Sequence, residues 1–336
     1  MRIVVVGGTG HVGSFLVPRL VRAGHDVVSL SRGTRQPYVD DPAWLEVEQV
    51  TVGREAEDVS GTFAARVADL DADVVIDMVC FTLDSAESLV DGLRGRVGHL
   101  IHCGSIWRHG ISLKVPVTED DGTEPFGDYG VQKAAIARFL QAESEAGGLV
   151  TTSLHPGHIS GPGWPVINPV GNLDPRVWQT LAAGSELAIP GLGTDLMHHV
   201  HADDVAQAFA LAVERRDAAA GQAFSVTAAS ALNVRGFATI AAGWFGQQAA
   251  LRSVSWEEFR ATTTPELAES SWQHLYRSQC MSIDKARRLL GYQPAFAPED
   301  AAYQAVRWMI DHDQLDVGAA EASPQQPEAV DTALQS

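Results

Sequence analysis

"MRIVVVGGTGHVGSFLVPRL", residues 1–20, passes from a run of β-branched residues through four glycines in seven positions into a helical pattern. Ile3 to Val6 reads as a strand buried on both faces, and Ser14 to Ala23 carries apolar residues at helical spacing. The glycines therefore sit on a strand-to-helix turn, where free backbone N–H groups at a helix start face an anion. Gly7 permits the tight turn, Gly10 lets backbone approach a pyrophosphate, and Gly13 lets helix lie close to strand. The spacing Gly7, Gly10, Gly13 departs from Gly-x-Gly-x-x-Gly, so the strand before and the helix after carry the dinucleotide assignment.

The next strand, Asp26 to Leu30, ends in Ser31-Arg32-Gly33, where a dinucleotide site meets the adenosine ribose. An acid there accepts hydrogen bonds from a free 2′-hydroxyl, whereas an arginine pairs with a 2′-phosphate. Ser31 and Arg32 therefore favour NADP(H) over NAD(H), with Arg35 nearby as an assistant or a bystander. Further strands near 46–52, 74–79 and 98–103 alternate with helical patterns near 58–69 and 83–94. That order predicts an α/β fold, a doubly wound parallel Rossmann sheet with right-handed crossovers.

Composition bounds the function. The chain has 336 residues, 45% of them hydrophobic, with 42 acidic against 24 basic residues and a net charge of −18. Such a charge repels phosphate polymers and anionic membranes, so neither nucleic acid nor membrane is expected as a partner. The first apolar stretch is too short for a signal-peptide core and no later stretch would span a bilayer, so a cytoplasmic location is expected. Cys80, Cys103 and Cys280 show no metal-ligand spacing and read as reduced thiols.

Chemistry is suggested by Tyr129 and Lys133, four residues apart on one helical face. An ammonium beside the phenol would lower a pKa that starts near ~10. The phenol would then serve as acid/base for an alcohol or ketone, with Ser105, at the end of the strand near 98–103, holding the same oxygen. The segment 111–128 reads as a long polar loop of the kind that covers sites.

These landmarks identify a resemblance. The chain resembles the extended short-chain dehydrogenase/reductase superfamily, or NAD-dependent epimerase/dehydratase family, from Met1 to about Asp311. "GGTGHVG" is similar to the family's glycine turn, Ser105 falls at its serine or threonine, and "YGVQK" at its Tyr-x-x-x-Lys. "LHPGHISGPG", "HHVHADDVAQAFALAVE" and "IDKARRLLGYQP" follow in the family's order. "GGTG", "LSRG" and "DVVIDMVCFT" resemble an Arg-containing, NADP-type subgroup that includes chloroplast stem-loop RNA-binding relatives.

The resemblance implies Ser105, Tyr129 and Lys133 as catalytic residues, with Lys133 also binding the nicotinamide ribose. It implies cofactor contacts at Gly7, Thr9, Gly10, His11, Val12, Gly13, Ser31, Arg32, Val79 and Pro156, with Gly157 beside the nicotinamide. Residues 1–155 would form the NADP-binding domain, 156–312 mainly a small substrate-binding lobe interleaved with the last sheet elements. Trp107, His109, His158 and Arg277 are expected at the substrate, Arg277 against an anion. The segment Thr194 to His198 lacks the arginine with which sugar-nucleotide enzymes of the family bind diphosphate. The cluster His198, His199 and His201 with Asp203 and Asp204 is read as structural, with no metal, and Trp164, Trp178 and Trp244 as core or pocket wall.

The expected function is an NADP(H)-dependent oxidoreductase or epimerase. It would act on a secondary alcohol or ketone of a sugar-like small molecule, by hydride transfer with a tyrosine acid/base. The alternative is a family member that binds nucleotide or RNA, or acts as a sensor, without turnover. A homodimer is left open. Asp316 to Ser336, poor in apolar residues and without a period, is expected to be a disordered tail.

Overall fold

The computed structural model describes residues 1–318. Six strands, β1 (Arg2–Val6), β2 (Asp26–Ser31), β3 (Glu48–Thr51), β4 (Val74–Asp77), β5 (His99–Cys103) and β6 (Thr151–Pro156), join Ala223–Val226 in one sheet. The order is Ala223–Val226, β6, β5, β4, β1, β2, β3, and every neighbouring pair is parallel. The chain leaves β1 toward one edge and returns to β4 on the other side. The carboxyl ends of β1 and β4 thus flank the switch point where α/β sheets bind ligands.

Alternating side chains along the strands feed two layers. Ile3, Val5, Val74, Ile76 and Leu154 pack with Leu16, Val17 and Leu20 of α1 (Gly13–Arg22) and with Val205, Phe209 and Val213 of helix Ala202–Glu214. Val4, Val6, Val28, Leu30 and Val75 face the other way, against Phe63 and Val67, Leu89 and Leu93, and Ile136 and Leu140. Both sheet faces are covered, which is why these strands read as unbroken apolar runs. A third core, built on Trp178, Phe237, Ala241 and Val306, lies among residues 166–315 and supports the segments above the sheet's carboxyl edge.

The helix expected near 58–69 is instead two, α2 (Arg54–Val59) and α3 (Phe63–Ala68). They break at Gly61, whose φ of +69° lies in the left-handed region that glycine adopts most readily. Helix α4 spans Leu83–Leu93 and α5 spans Asp128–Glu145. The 111–128 loop is ordered by non-local bonds: Val117 N donates to Cys280 O at 2.7 Å and Ser282 N to Val117 O at 2.7 Å. Glu119 adds a bond from Ser225 N, at 2.8 Å, on the sheet's edge strand. Of the expected tail, only residues 316–318 are described, and the rest lies outside the described residues. Among the described residues no helix is long and apolar enough to cross a membrane.

Candidate active site

The glycine turn is tighter than its sequence spacing suggests. Gly7 adopts φ +91°, and an added Cβ there would touch Val79 Cγ1 at 3.0 Å. A Cβ on Gly13 would lie 2.2 Å from Gly8 O, and one on Gly8 2.3 Å from Ser29 Oγ. Gly8 is therefore also constrained, by the Ser29 side chain where Gly13 meets backbone. A Cβ on Gly10 would meet only Gly7 O, at 3.0 Å, leaving its outer side open. Helix α1 starts at Val12–Gly13 with no side-chain cap and no acid in its first turn; Ser14 N and Phe15 N already donate to Gly10 O and Val12 O, so the N–H groups left to face an anion are those of His11, Val12 and Gly13. An uncapped helix start behind an open glycine surface fits a pyrophosphate.

Aromatic rings close over this turn. His11 stacks on Trp164, with centroids 5.7 Å apart, and meets Tyr38 edge-on at 6.2 Å. Tyr38 N donates to Ser14 Oγ at 3.0 Å, fastening the segment after β2 to the first turn of α1. Trp164 thus packs on the glycine turn through His11, whereas Trp178 and Trp244 stack at 6.2 Å in the third core. At the end of β2 Ser31 Oγ accepts a bond from Gly33 N at 3.2 Å, and Arg35 donates to Tyr38 Oη. Arg32 is exposed, without a hydrogen bond or ion pair among the described residues.

Sequence reading missed a buried ion pair beside that end. Arg54 Nη1 and Asp77 Oδ1 are 2.5 Å apart, and Asp77 also accepts from Val79 N at 3.1 Å. The pair joins α2 to the end of β4 across 23 residues, and no local pattern in the sequence announces it.

Ser105, Tyr129 and Lys133 converge past β5. Ser105 caps the short helix Ile106–Arg108, accepting from Trp107 N at 3.1 Å, and its hydroxyl is within hydrogen-bonding reach of the Tyr129 phenol. Lys133 is buried and donates to Cys80 O and Cys103 O, both at 2.8 Å. Its Nζ lies 5.7 Å from the Tyr129 ring centre. One expectation is corrected here. The phenol pKa is pushed up, to about 12, chiefly by burial of its hydroxyl end although 42% of the residue's surface is exposed. The ammonium, turned onto the Cys80 and Cys103 carbonyls, does not offset that burial. Burial likewise pulls the Lys133 pKa below its usual value and pushes Cys80 to about 12 and Cys103 to about 11, leaving both thiols inert.

His155 lies under this group. Its Nδ1 accepts the Ser105 backbone N–H at 3.2 Å and its Nε2 faces Arg108 Nη1 at 3.2 Å. Gly104 makes the approach possible, since a Cβ there would sit 2.1 Å from His155 Nδ1.

Of the expected substrate residues, Trp107 stands beside Tyr129, with centroids 5.7 Å apart. His158 continues the wall through His274. His109 is buried and lines a side cavity of about 250 Å³ with Ile111, Val117 and Thr123. Arg277 is corrected. It is fully buried between the rings of Trp107 and Phe126, at 3.9 and 3.8 Å, and donates to Phe126 O and Gln273. It braces the wall and does not present a fork to an anion. His198 binds Met281 N and Ala228 O, and His201 caps helix Ala202–Glu214. Among the described residues no group of three or more potential ligands could hold a metal ion.

Comparison with known proteins identifies the family and the fold. Residues 3–227 match the family described as NAD dependent epimerase/dehydratase family. The chain is 27% identical over 260 residues to a UDP-glucose 4-epimerase of Corynebacterium glutamicum, covering 70% of this chain and 78% of that protein. It is 24% identical over 348 residues to a 3-beta-hydroxysteroid dehydrogenase of Mycolicibacterium neoaurum, covering 92% of each. A UDP-glucuronic acid 4-epimerase from Bacillus cereus, solved in complex with UDP-glucuronic acid and NAD, superposes with a TM-score of 0.69. That match is 17% identical and covers 93% of this chain and 100% of the other, a likeness of fold.

Proposed function

Since the chain belongs to the NAD-dependent epimerase/dehydratase family, and is thereby an NAD(P)-dependent enzyme of the short-chain dehydrogenase/reductase type, we propose that it is an NADP(H)-preferring oxidoreductase or epimerase acting on a secondary alcohol or ketone of a sugar-like small molecule. The observation that carries this reading is the convergence of Ser105, Tyr129 and Lys133 beside the sheet's switch point.

The cofactor would be held by the Gly7–Gly13 turn and the start of α1 at its pyrophosphate, and by Ser31 and Arg32 at its adenosine ribose. Val79, Pro156 and Lys133 would lie along the rest. Bound there, it would supply or accept a hydride. Ser105 would hold the substrate oxygen by its hydroxyl, itself fixed by Trp107 N and by the His155 bond to its backbone. Tyr129 would give that oxygen a proton during reduction, being protonated at neutral pH, and would take one back in the reverse direction. Lys133 keeps a third N–H after its two carbonyl bonds, enough to bind a ribose hydroxyl. Arg32 supports NADP because its side chain is free at the ribose end and no carboxylate occupies Ser31.

The test is a screen of keto-sugars and cyclic ketones against NADPH, followed at 340 nm, with cofactor binding measured by calorimetry. Oxidation of NADPH by one class of ketone supports the reading. Binding of NADP with no turnover across the panel would favour the non-catalytic alternative.

A further inference from the structure

Of Ser105, Tyr129 and Lys133, only Tyr129 reaches the surface, 42% exposed against 8% and 1%. Its hydroxyl end is enclosed beside Ser105, so a substrate that carries its oxygen to that end lies with the rest of its body along the exposed side of the ring. Two rings from different elements meet Tyr129. Trp107, in the short helix after β5, stands edge-on with centroids 5.7 Å apart, and Phe81, in the turn between β4 and α4, lies tilted by 41° at 6.5 Å. Trp107 is already occupied, with the Arg277 guanidinium 3.9 Å over its face and His274 at 4.8 Å. Phe81 keeps free surface: 53% of it is exposed.

What fixes Phe81 is on its inner side. Its ring lies 5.0 Å from the Lys133 ammonium, a cation–π distance. The residues around it are tied down: Cys80 O accepts from Lys133 Nζ at 2.8 Å, Thr82 Oγ1 from Ser85 N at 3.3 Å, and Gln132 Oε1 from Leu83 N at 2.9 Å. The turn therefore holds an aromatic ring against Tyr129 and leaves its outer face in water. A lone exposed phenylalanine needs no explanation, but one continuous with the Tyr129 ring forms an apolar patch of the kind that marks a ligand contact. The matching ligand surface is a set of C–H groups in one plane, which a pyranose or carbocycle offers and a three-carbon ketone does not. Covering them removes apolar area from water on both partners.

Resting on the oxidoreductase reading above, we propose that Phe81 is a specificity-determining residue: its free face packs against the C–H face of a cyclic substrate, favouring ring ketones and ring alcohols over short open-chain ones.

The test uses the full chain saturated with NADP⁺, whose affinity is measured first by calorimetry, so that failure of the cofactor reading is seen separately. Cyclohexanone and a keto-inositol serve as ring probes and hydroxyacetone as the open-chain probe, with dissociation constants read by saturation-transfer NMR, which needs no turnover. Phe81→Ala should weaken both ring probes about tenfold, leave hydroxyacetone and NADP⁺ within about twofold, and leave Tm unchanged because the side chain is half exposed. Phe81→Tyr, which keeps the ring, should restore ring-probe binding. Where a ring ketone oxidises NADPH, the same change should appear in kcat/KM. Four results overturn the proposal: ring probes that do not bind the unaltered complex, ring and open-chain probes weakened alike by Phe81→Ala, ring probes that bind Phe81→Ala undiminished, or a loss of NADP⁺ affinity in that variant, which would place Phe81 against the cofactor. A chain that binds ring probes through Phe81 yet oxidises no NADPH refutes the oxidoreductase reading and leaves this contact standing.

Discussion

Gly10→Ala separates cofactor recognition from folding. The added Cβ meets one protein atom within 4 Å, Gly7 O at 3.0 Å, and otherwise projects from the open side of the turn. The fold should absorb this with a loss of no more than about 1 kcal/mol, a shift in Tm of roughly 2–4 °C. A pyrophosphate seated on that surface is displaced. If two charge-assisted bonds to the α1 N–H groups are lost, at ~1.5–3 kcal/mol each, affinity falls by about 10²–10⁴-fold. Gly13→Ala is the contrast: its Cβ would lie 2.2 Å from Gly8 O and 2.7 Å from Gly7 O, so backbone must move and stability falls by ~1–3 kcal/mol or more along with binding. Gly243→Ala, with nothing within 4 Å in helix Val234–Trp244, serves as the control and should leave both intact. Calorimetric titration with NADP⁺ and thermal melts read the two effects. If Gly10→Ala binds within about threefold of the unaltered protein, the glycine surface is not the pyrophosphate cradle.

Arg32→Asp should reverse the cofactor order, from NADP to NAD, by roughly tenfold or more in Kd, the worth of one charge-assisted bond; equal affinities in the unaltered protein refute the assignment. Tyr129, at about 12, should add no phenolate absorbance below about pH 10 in a difference titration against Tyr129→Phe. Ketone reduction should accordingly stay flat from neutral to mildly alkaline pH while alcohol oxidation climbs, and a difference component near neutrality contradicts this. Acid should unfold the chain early. His11, His99, His109, His198 and His274 are lowered to about 4 and His199 to about 3 by burial. Unfolded imidazoles take protons near ~6.5, so the unfolded state binds more protons below that pH and stability falls as pH drops. At about pH 5.5 the six together have cost roughly 8 kcal/mol, comparable with the whole stability of a typical domain. Circular dichroism should show cooperative loss between about pH 6 and 5, and a chain still folded at pH 4 would refute the burial argument.

The sheet was legible because its signals are local. Ile3–Val6 and Val74–Asp77 are apolar throughout, and the turn at Gly7 follows its strand directly. The pairing of Tyr129 with Lys133 is equally local, one helical turn apart. What escaped was non-local. Arg54 finds Asp77 across 23 residues, and His155 finds Ser105 across 50, so nothing in either neighbourhood announces the partner. Burial misled twice. Spacing placed an ammonium near the phenol but could not show that it turns onto Cys80 O and Cys103 O while burial raises the phenol. Arg277, read from its residue type as an anion receptor, is enclosed by Trp107 and Phe126.

In the proposed mechanism Tyr129 moves the proton. Single-turnover oxidation of NADPH at 340 nm, with the first active ketone and enzyme in excess, compares the unaltered protein with Tyr129→Phe. The rate constant should fall by about 10²–10⁴, with NADPH affinity and Tm unchanged, because only the hydroxyl beside Ser105 is removed. An undiminished rate in Tyr129→Phe would contradict it.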